Sequence, residues 1–148
     1  MKAVHPYLNF PGNTEEAFNF YRSVFGGEFT NVTRYRDMPG AQVEGPDLDR
    51  IMNIGLRLSG ETVLMATDVL EELHGPVQFG NNVHIVIEPE TREETERVYR
   101  ALSEGGKVEM PLGQTPWAEL YAIFTDRFGV RWMVNYTGTV AFQPGVAQ

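Results

Sequence analysis

Residues 5–27 read HPYLNFPGNTEEAFNFYRSVFGG, and this stretch decides the fold. The apolar run of residues 4–10 predicts a strand, with Pro6 near its start, where a missing backbone N–H is tolerated. Pro11-Gly12 is a turn. Asn13 suits a helix N-cap, and Glu16 three residues later completes a capping-box pattern. Ala17, Phe18, Phe20, Tyr21, Val24 and Phe25 come next at helical spacing, and Gly26-Gly27 stops the helix. A second, weaker copy spans residues 84–106, HIVIEPETREETERVYRALSEGG. It again opens on a histidine and ends on Gly-Gly, with Thr91 as N-cap, Glu94 as its partner, and Val98, Ala101 and Leu102 as the apolar stripe.

The segments after the two copies also resemble one another. After the first come a strand at 29–35, a Gly-, Pro- and Asp-rich loop at 37–50, and strands at 51–58 and 62–67 joined by the turn Ser59-Gly60-Glu61. After the second come a short strand at 107–110, a loop at 111–116, and strands at 119–125 and 130–136 joined by a turn at Asp126 to Gly129. Both halves therefore read βαβββ. Two copies at a period of roughly 70–80 residues argue against a solenoid, which needs three or more repeats. The predicted fold class is α+β: two βαβββ modules forming a cupped mixed sheet with helices on the outside. The chain divides into module one at about 3–68, a linker at 69–82, module two at about 83–137, and a loose tail at 138–148, all within one domain of 148 residues. The loop at 37–50 has no counterpart of equal length in the second half, which makes it a candidate lid.

Composition removes several function classes. The net charge is -8 and the Lys and Arg residues are scattered, which disfavours nucleic acid as a partner. With no cysteine, there are no disulfides, no cysteine-zinc sites and no thiol nucleophile, in keeping with a cytoplasmic location. The start, MKAVHPYLNF, meets proline and polar residues too early for a signal peptide, and no apolar run approaches the ~20 residues of a membrane span. The Gly-Gly pairs precede no helix N-terminus, so they are not phosphate loops. No Gly-x-Ser-x-Gly occurs, and no glycine-rich strand-turn-helix is present to hold S-adenosylmethionine.

The repeated order, the paired histidines and the segments PYLNFPGNTEEAFNFYRSVFGGEF and FTDRFGVRWMVNY resemble the vicinal oxygen chelate superfamily of glyoxalases, bleomycin-resistance proteins and dioxygenases, and within it the PhnB-like branch, whose members are often labelled 3-demethylubiquinone 3-methyltransferase-like. The resemblance covers nearly the whole chain. It implies a homodimer and, in metal-dependent members, one ligand from the first strand and one carboxylate from the last strand of each module. Those positions fall on His5 and His84, and near Met65 and Met133. Methionine stands where the pattern has Glu. Thioethers cannot neutralise a divalent ion, and they suit Cu(I) instead. A methionine also fills an apolar cavity well.

The candidate ligand-binding residues are therefore His5, His84, Met65, Trp117, Glu119 and Met133, with His5 and His84 as candidate metal ligands. Asp68, Glu119 and Asn135 lie near enough in sequence to offer oxygen donors. His5, beside Pro6, equally suits a strand-end histidine bonded to backbone. His84 shares a face with Val86 by strand alternation, and Arg131 shares one with Met133, within reach of a pocket mouth or an acidic partner. Trp132 points the other way, into the core, while Trp117 reads as a pocket wall. The leading expectation is a PhnB-like, glyoxalase-like protein of unassigned activity binding a small organic ligand in an aromatic- and methionine-lined cup. The alternatives are a metal-dependent lyase or dioxygenase using His5 and His84, and a non-enzymatic scavenger or structural dimer.

Overall fold

The chain folds as two compact units, Met1–Gln78 and Phe79–Gln148, in a computed structural model that describes residues 1–142 and 145. The end of the expected tail lies outside the described residues.

In the first unit the order is β1 (Tyr7–Phe10), α1 (Thr14–Phe25), β2 (Phe29–Arg34), β3 (Ile51–Ser59), β4 (Thr62–Asp68) and the short α2 (Glu71–His74). The sheet order is β1-β4-β3-β2, with β1 parallel to β4 and the other pairs antiparallel. The second unit repeats it: β5 (Ile85–Ile87), α3 (Arg92–Ser103), β6 (Lys107–Thr115), β7 (Ala118–Thr125) and β8 (Arg131–Tyr136), in the order β5-β8-β7-β6. The α+β class and the twofold βαβββ plan are thus as expected. No helix among the described residues is long and apolar enough to cross a membrane.

Each unit has its own core between its helix and one sheet face. In the first, Ala17, Phe18, Tyr21 and Val24 pack at three- and four-residue spacing over Phe10, Ile54, Leu56 and Leu64. Phe18 meets Phe10 edge-on at 6.4 Å and Tyr21 at 5.7 Å, the arrangement that ring quadrupoles favour. In the second, Val98 and Leu102 lie over Leu120, Ala122, Phe124, Trp132 and Val134, and Tyr99 packs on Phe124 at 5.6 Å. Trp132 is fully buried, as alternation predicts, and its indole N–H donates to Asp126 Oδ2 at 2.8 Å.

The Gly-Gly pairs do more than stop the helices. A Cβ on Gly27 would lie 2.2 Å from the carbonyl oxygen of Arg57, and one on Gly106 would lie 2.0 Å from that of Thr125. The second glycine of each pair is needed where the chain crosses the backbone of the third strand. Arg57 pairs with Val63 and Thr125 with Arg131, so the two crossings occupy corresponding places.

Four local expectations need correction. The Asn13 side chain makes no capping bond; instead Thr14 N–H donates to the Asp68 carboxylate, a cap brought from β4. The segment 111–116 is not a loop up to residue 115, because β6 runs through Pro111 to Thr115 on the sheet edge, where proline is tolerated. The segment 69–82 contains α2, so it is not wholly irregular. The opening strand of the first unit is shorter than read, since β1 starts at Tyr7. The α3 cap holds: Thr91 Oγ1 accepts from Glu94 N–H at 3.1 Å, and Glu94 reaches back to Glu90 N–H at 3.0 Å.

The loop 37–50 is closed at its base. Tyr35 N–H donates to the Arg50 carbonyl at 3.1 Å, and Arg36 Nε donates to Asp49 Oδ1 at 2.9 Å. Arg34 donates to the Asp49 carbonyl at 2.8 Å and pairs with Glu15 on α1.

Candidate functional site

Strand register decides which of the candidate residues stand together. Met65 lies opposite Tyr7 on β1 and Gly55 on β3. Met133 lies opposite Val86 on β5 and Ile123 on β7. The two methionines therefore hold the same place in the two sheets. His5 precedes Tyr7 as His84 precedes Val86, so the histidines correspond as well. Leu64, Ala66, Trp132 and Val134 face the helices, and alternation puts Met65 and Met133 on the helix-free face of each sheet.

In the first unit that face is polar. Asn31, Asn53 and Tyr7 form a chain: Asn31 Nδ2 donates to Asn53 Oδ1 at 2.7 Å, and Asn53 Nδ2 donates to the Tyr7 hydroxyl at 3.1 Å. His5 sits at the strand entrance, where its Nδ1 accepts from Val63 N–H at 3.2 Å. The backbone-bonded reading of His5 describes this contact.

In the second unit the row through the methionine is apolar across all four strands. Val86, Met133, Ile123 and Met110 form one cross-strand row, with Val86 54% and Met110 42% exposed. Beside it, Tyr121 donates its hydroxyl to Met133 Sδ at 3.3 Å, and Trp117, 40% exposed, meets the Tyr121 ring edge-on at 5.3 Å. Trp117, Tyr121 and Met133 thus form one continuous aromatic-thioether surface. On the other side of the row, Arg131 Nε donates to His84 Nε2 at 3.2 Å, and Arg131 also pairs with Glu109. The acidic partner expected for Arg131 is therefore Glu109.

Glu119 is engaged elsewhere. Its Oε1 accepts from the hydroxyl and the N–H of Thr139 at 2.6 and 2.9 Å, and Arg92 lies 3.6 Å from its other oxygen. The Thr139 hydroxyl, then the Thr139 N–H and the Arg92 charge, hold its carboxyl below the usual range, against an opposing effect of burial. Its role in the structure is to fasten the chain beyond β8. Asp68 is withdrawn from the oxygen-donor candidates: it is 2% exposed on the helix side, and its carboxylate accepts from Thr14 N–H at 3.0 Å and Ile51 N–H at 2.8 Å.

A divalent ion does not fit these donors. Each unit offers an imidazole and a thioether, and each imidazole already spends a ring-nitrogen lone pair on a hydrogen bond. In the neutral ring the other nitrogen carries the proton, so no free lone pair remains. Among the described residues no group of three or more His, Asp or Glu side chains converges as a metal site would require.

Sequence reasoning missed Tyr121, Glu109 and Met110. Alternation with Glu119 would have placed Tyr121. The other two depend on a bulge, because the register shift between Val108 and Met110 sets both Glu109 and Met110 against Ile123. Two concavities of the first unit, of about 570 and 420 Å³, are lined by Gly27, Phe29, Arg57 and Gly60 and by Pro11, Asp47, Arg50 and Glu71. None of the candidate residues lines either; the second gathers Glu44, Asp47, Arg50, Glu71 and Glu72 from the 37–50 loop and α2, away from the methionine positions.

Comparison with known proteins agrees with this fold. The family model of the Glyoxalase/Bleomycin resistance protein/Dioxygenase superfamily matches residues 4–134. The crystal structure of protein PA1353 from Pseudomonas aeruginosa is 39% identical, with a TM-score of 0.80 over 90% of this chain and 96% of that one. The PhnB protein from Bacillus cereus is 29% identical, with a TM-score of 0.74 over 90% and 98%. Protein YjdN of Escherichia coli strain K12 is 29% identical over 142 residues, covering 89% of this chain and 93% of that one.

Proposed function

We propose, from the premise that the chain belongs to the glyoxalase/bleomycin resistance protein/dioxygenase superfamily, that it binds a small organic ligand without a metal. The ligand lies against the methionine-bearing, helix-free sheet face of the second unit, with His84, Trp117 and Met133 among its neighbours; His5 and Met65 hold the corresponding places on the first unit's own sheet. That the two units act together as one domain, and that two chains pair, belong to the same proposal. One observation carries it: Met65 and Met133 occupy the same register position in both sheets, and the second sheet continues that position as the apolar row of Val86, Ile123 and Met110. A soft thioether among apolar and aromatic neighbours suits an organic ring or chain better than a divalent ion.

The two tryptophans supply the test. Trp132 is fully buried while Trp117 is 40% exposed, so acrylamide quenching reports on Trp117. Benzamide should protect Trp117 saturably, and Met133→Glu should weaken that protection about tenfold by placing a charge in the apolar row. Absence of saturable protection, or equal protection in the variant, rejects the reading. Protein purified without chelators should carry less than stoichiometric metal. Stoichiometric metal that is lost in His84→Gln would favour a metal-dependent lyase or dioxygenase instead.

A further inference from the structure

The two sheets differ most sharply at one position. Val63 and Arg131 correspond, each two residues before its methionine and each bonded to its unit's histidine. In the first unit the imidazole accepts a backbone N–H. In the second it accepts a guanidinium N–H. A cation thus already occupies the His84 lone pair that a metal ion would need.

The surroundings of Arg131 describe what it can hold. Its side chain is 19% exposed, so the guanidinium is largely but not wholly withdrawn from water. Its Nε and Nη2 are used on His84 and Glu109, and its remaining N–H groups have no protein acceptor among the described residues. Thr125 and Lys107 lie in the same cross-strand row. With Glu109 reaching Arg131 from the adjacent bulge, the two cations Lys107 and Arg131 stand against one carboxylate, and the group carries a net positive charge. The next row is the apolar one, Val86 to Met110, with Tyr121 and Trp117 beyond it. A planar two-oxygen anion fits the fork of a guanidinium, and a single negative charge matches the row. A dianion such as phosphate would meet Glu109 with charge to spare.

We propose that Arg131, held in place by His84 and Glu109, binds the carboxylate of a small organic monoanion whose apolar body lies along Met133 and Ile123 toward Tyr121 and Trp117. This deepens the ligand-binding reading above and rests on it. Arg131 is the binding residue. His84 positions it, because accepting from Nε fixes the plane of the guanidinium and turns its free edge toward the ligand.

Benzoate and benzamide separate the claims, since they share a ring and differ in the charged group. Binding is followed by calorimetry and by protection of Trp117 from acrylamide. The unmodified protein should bind benzoate at least about tenfold more tightly than benzamide, as a charge-assisted bond exceeds a neutral one. That preference should shrink as salt rises. Arg131→Gln should abolish the preference, bringing benzoate affinity down to the level of benzamide measured on the same variant. His84→Gln, which keeps an acceptor for Nε, should retain most of it, and His84→Ala should lose part. Near-ultraviolet circular dichroism of the buried Trp132 checks that each variant is folded, and the two His84 variants decide the question if Arg131→Gln does not fold. Equal affinity for the two probes overturns this inference and leaves ligand binding standing. A preference that survives Arg131→Gln also overturns it. Binding of neither probe overturns both.

Discussion

Asp68→Asn removes one charge and one acceptor from a buried site, and its cost can be worked from two bonds. Oδ1 accepts from Thr14 N–H at 3.0 Å and Oδ2 from Ile51 N–H at 2.8 Å, with the residue 2% exposed. Asparagine keeps one acceptor and turns an amide N–H2 toward the other donor. Leaving that backbone N–H buried and unpaired costs about 1–3 kcal/mol, and reducing the surviving bond from charge-assisted to neutral costs about 1 kcal/mol more. The expected loss is about 2–4 kcal/mol. Asp68→Ala orphans both N–H groups and should cost roughly 2–6 kcal/mol. With a urea slope of about 1–3 kcal/mol/M, the asparagine variant should move the first unit's midpoint by roughly 0.7–4 M.

Hydrogen exchange gives the site-specific readout. The Thr14 and Ile51 amides should lose protection, while those of β8 should not. A loss below about 0.5 kcal/mol, the usual range for a neutral surface change, would refute the two-bond account. So would unchanged protection at Thr14. Added zinc or EDTA should leave the variant's deficit unaltered; a deficit that depends on metal would return Asp68 to the oxygen-donor set.

Gly106→Ala should destabilise by roughly 1–3 kcal/mol in denaturant melts, because its Cβ would stand 2.0 Å from the Thr125 carbonyl. Gly27→Ala meets the Arg57 carbonyl at 2.2 Å and, with φ +80°, adds about 1–2 kcal/mol of backbone strain. Gly40→Ala, at φ +74° with nothing within 4 Å, should lose only that second part, and a Gly40 variant as damaged as Gly27→Ala would refute the crossing argument. Glu119 has its folded pKa lowered, so the stability of its clasp on Thr139 is present above the ordinary value of 4.5 and is lost as pH falls through the folded value. The Thr139 amide resonance should therefore shift with a midpoint below 4.5 as pH falls, and the shift should vanish in Glu119→Gln.

The duplicated plan was legible because it is written in local chemistry. Strand alternation at residues 131–136 put Trp132 inward and Met133 on the opposite face, and both Gly-Gly pairs marked helix ends. Where sequence reading failed, the deciding partner lay far along the chain or in a bulge. Asn13 has the right chemistry for a cap, but the carboxylate that serves α1 is 54 residues away. Pro111 reads as a strand breaker, yet β6 is an edge strand that can leave one N–H position unpaired. Glu109 looks like one more solvated acid until the shift at Val108/Met110 brings it to Arg131.

The site was half legible for a related reason. A repeat shows first what its copies share, here a histidine at the strand entrance and a methionine two residues after its partner's position. Those shared features mark corresponding places in the two sheets. Chemistry enters where the copies diverge. At the position beside the histidine, one copy has Val63 and uses only its backbone, and the other has Arg131 and brings a charge. The rows behave the same way: polar around Met65, with Asn31 and Asn53, and apolar around Met133, with Ile123 and Met110. A ligand with one charged end and one apolar end therefore distinguishes the two faces. The second unit supplies both ends of that match on a single sheet.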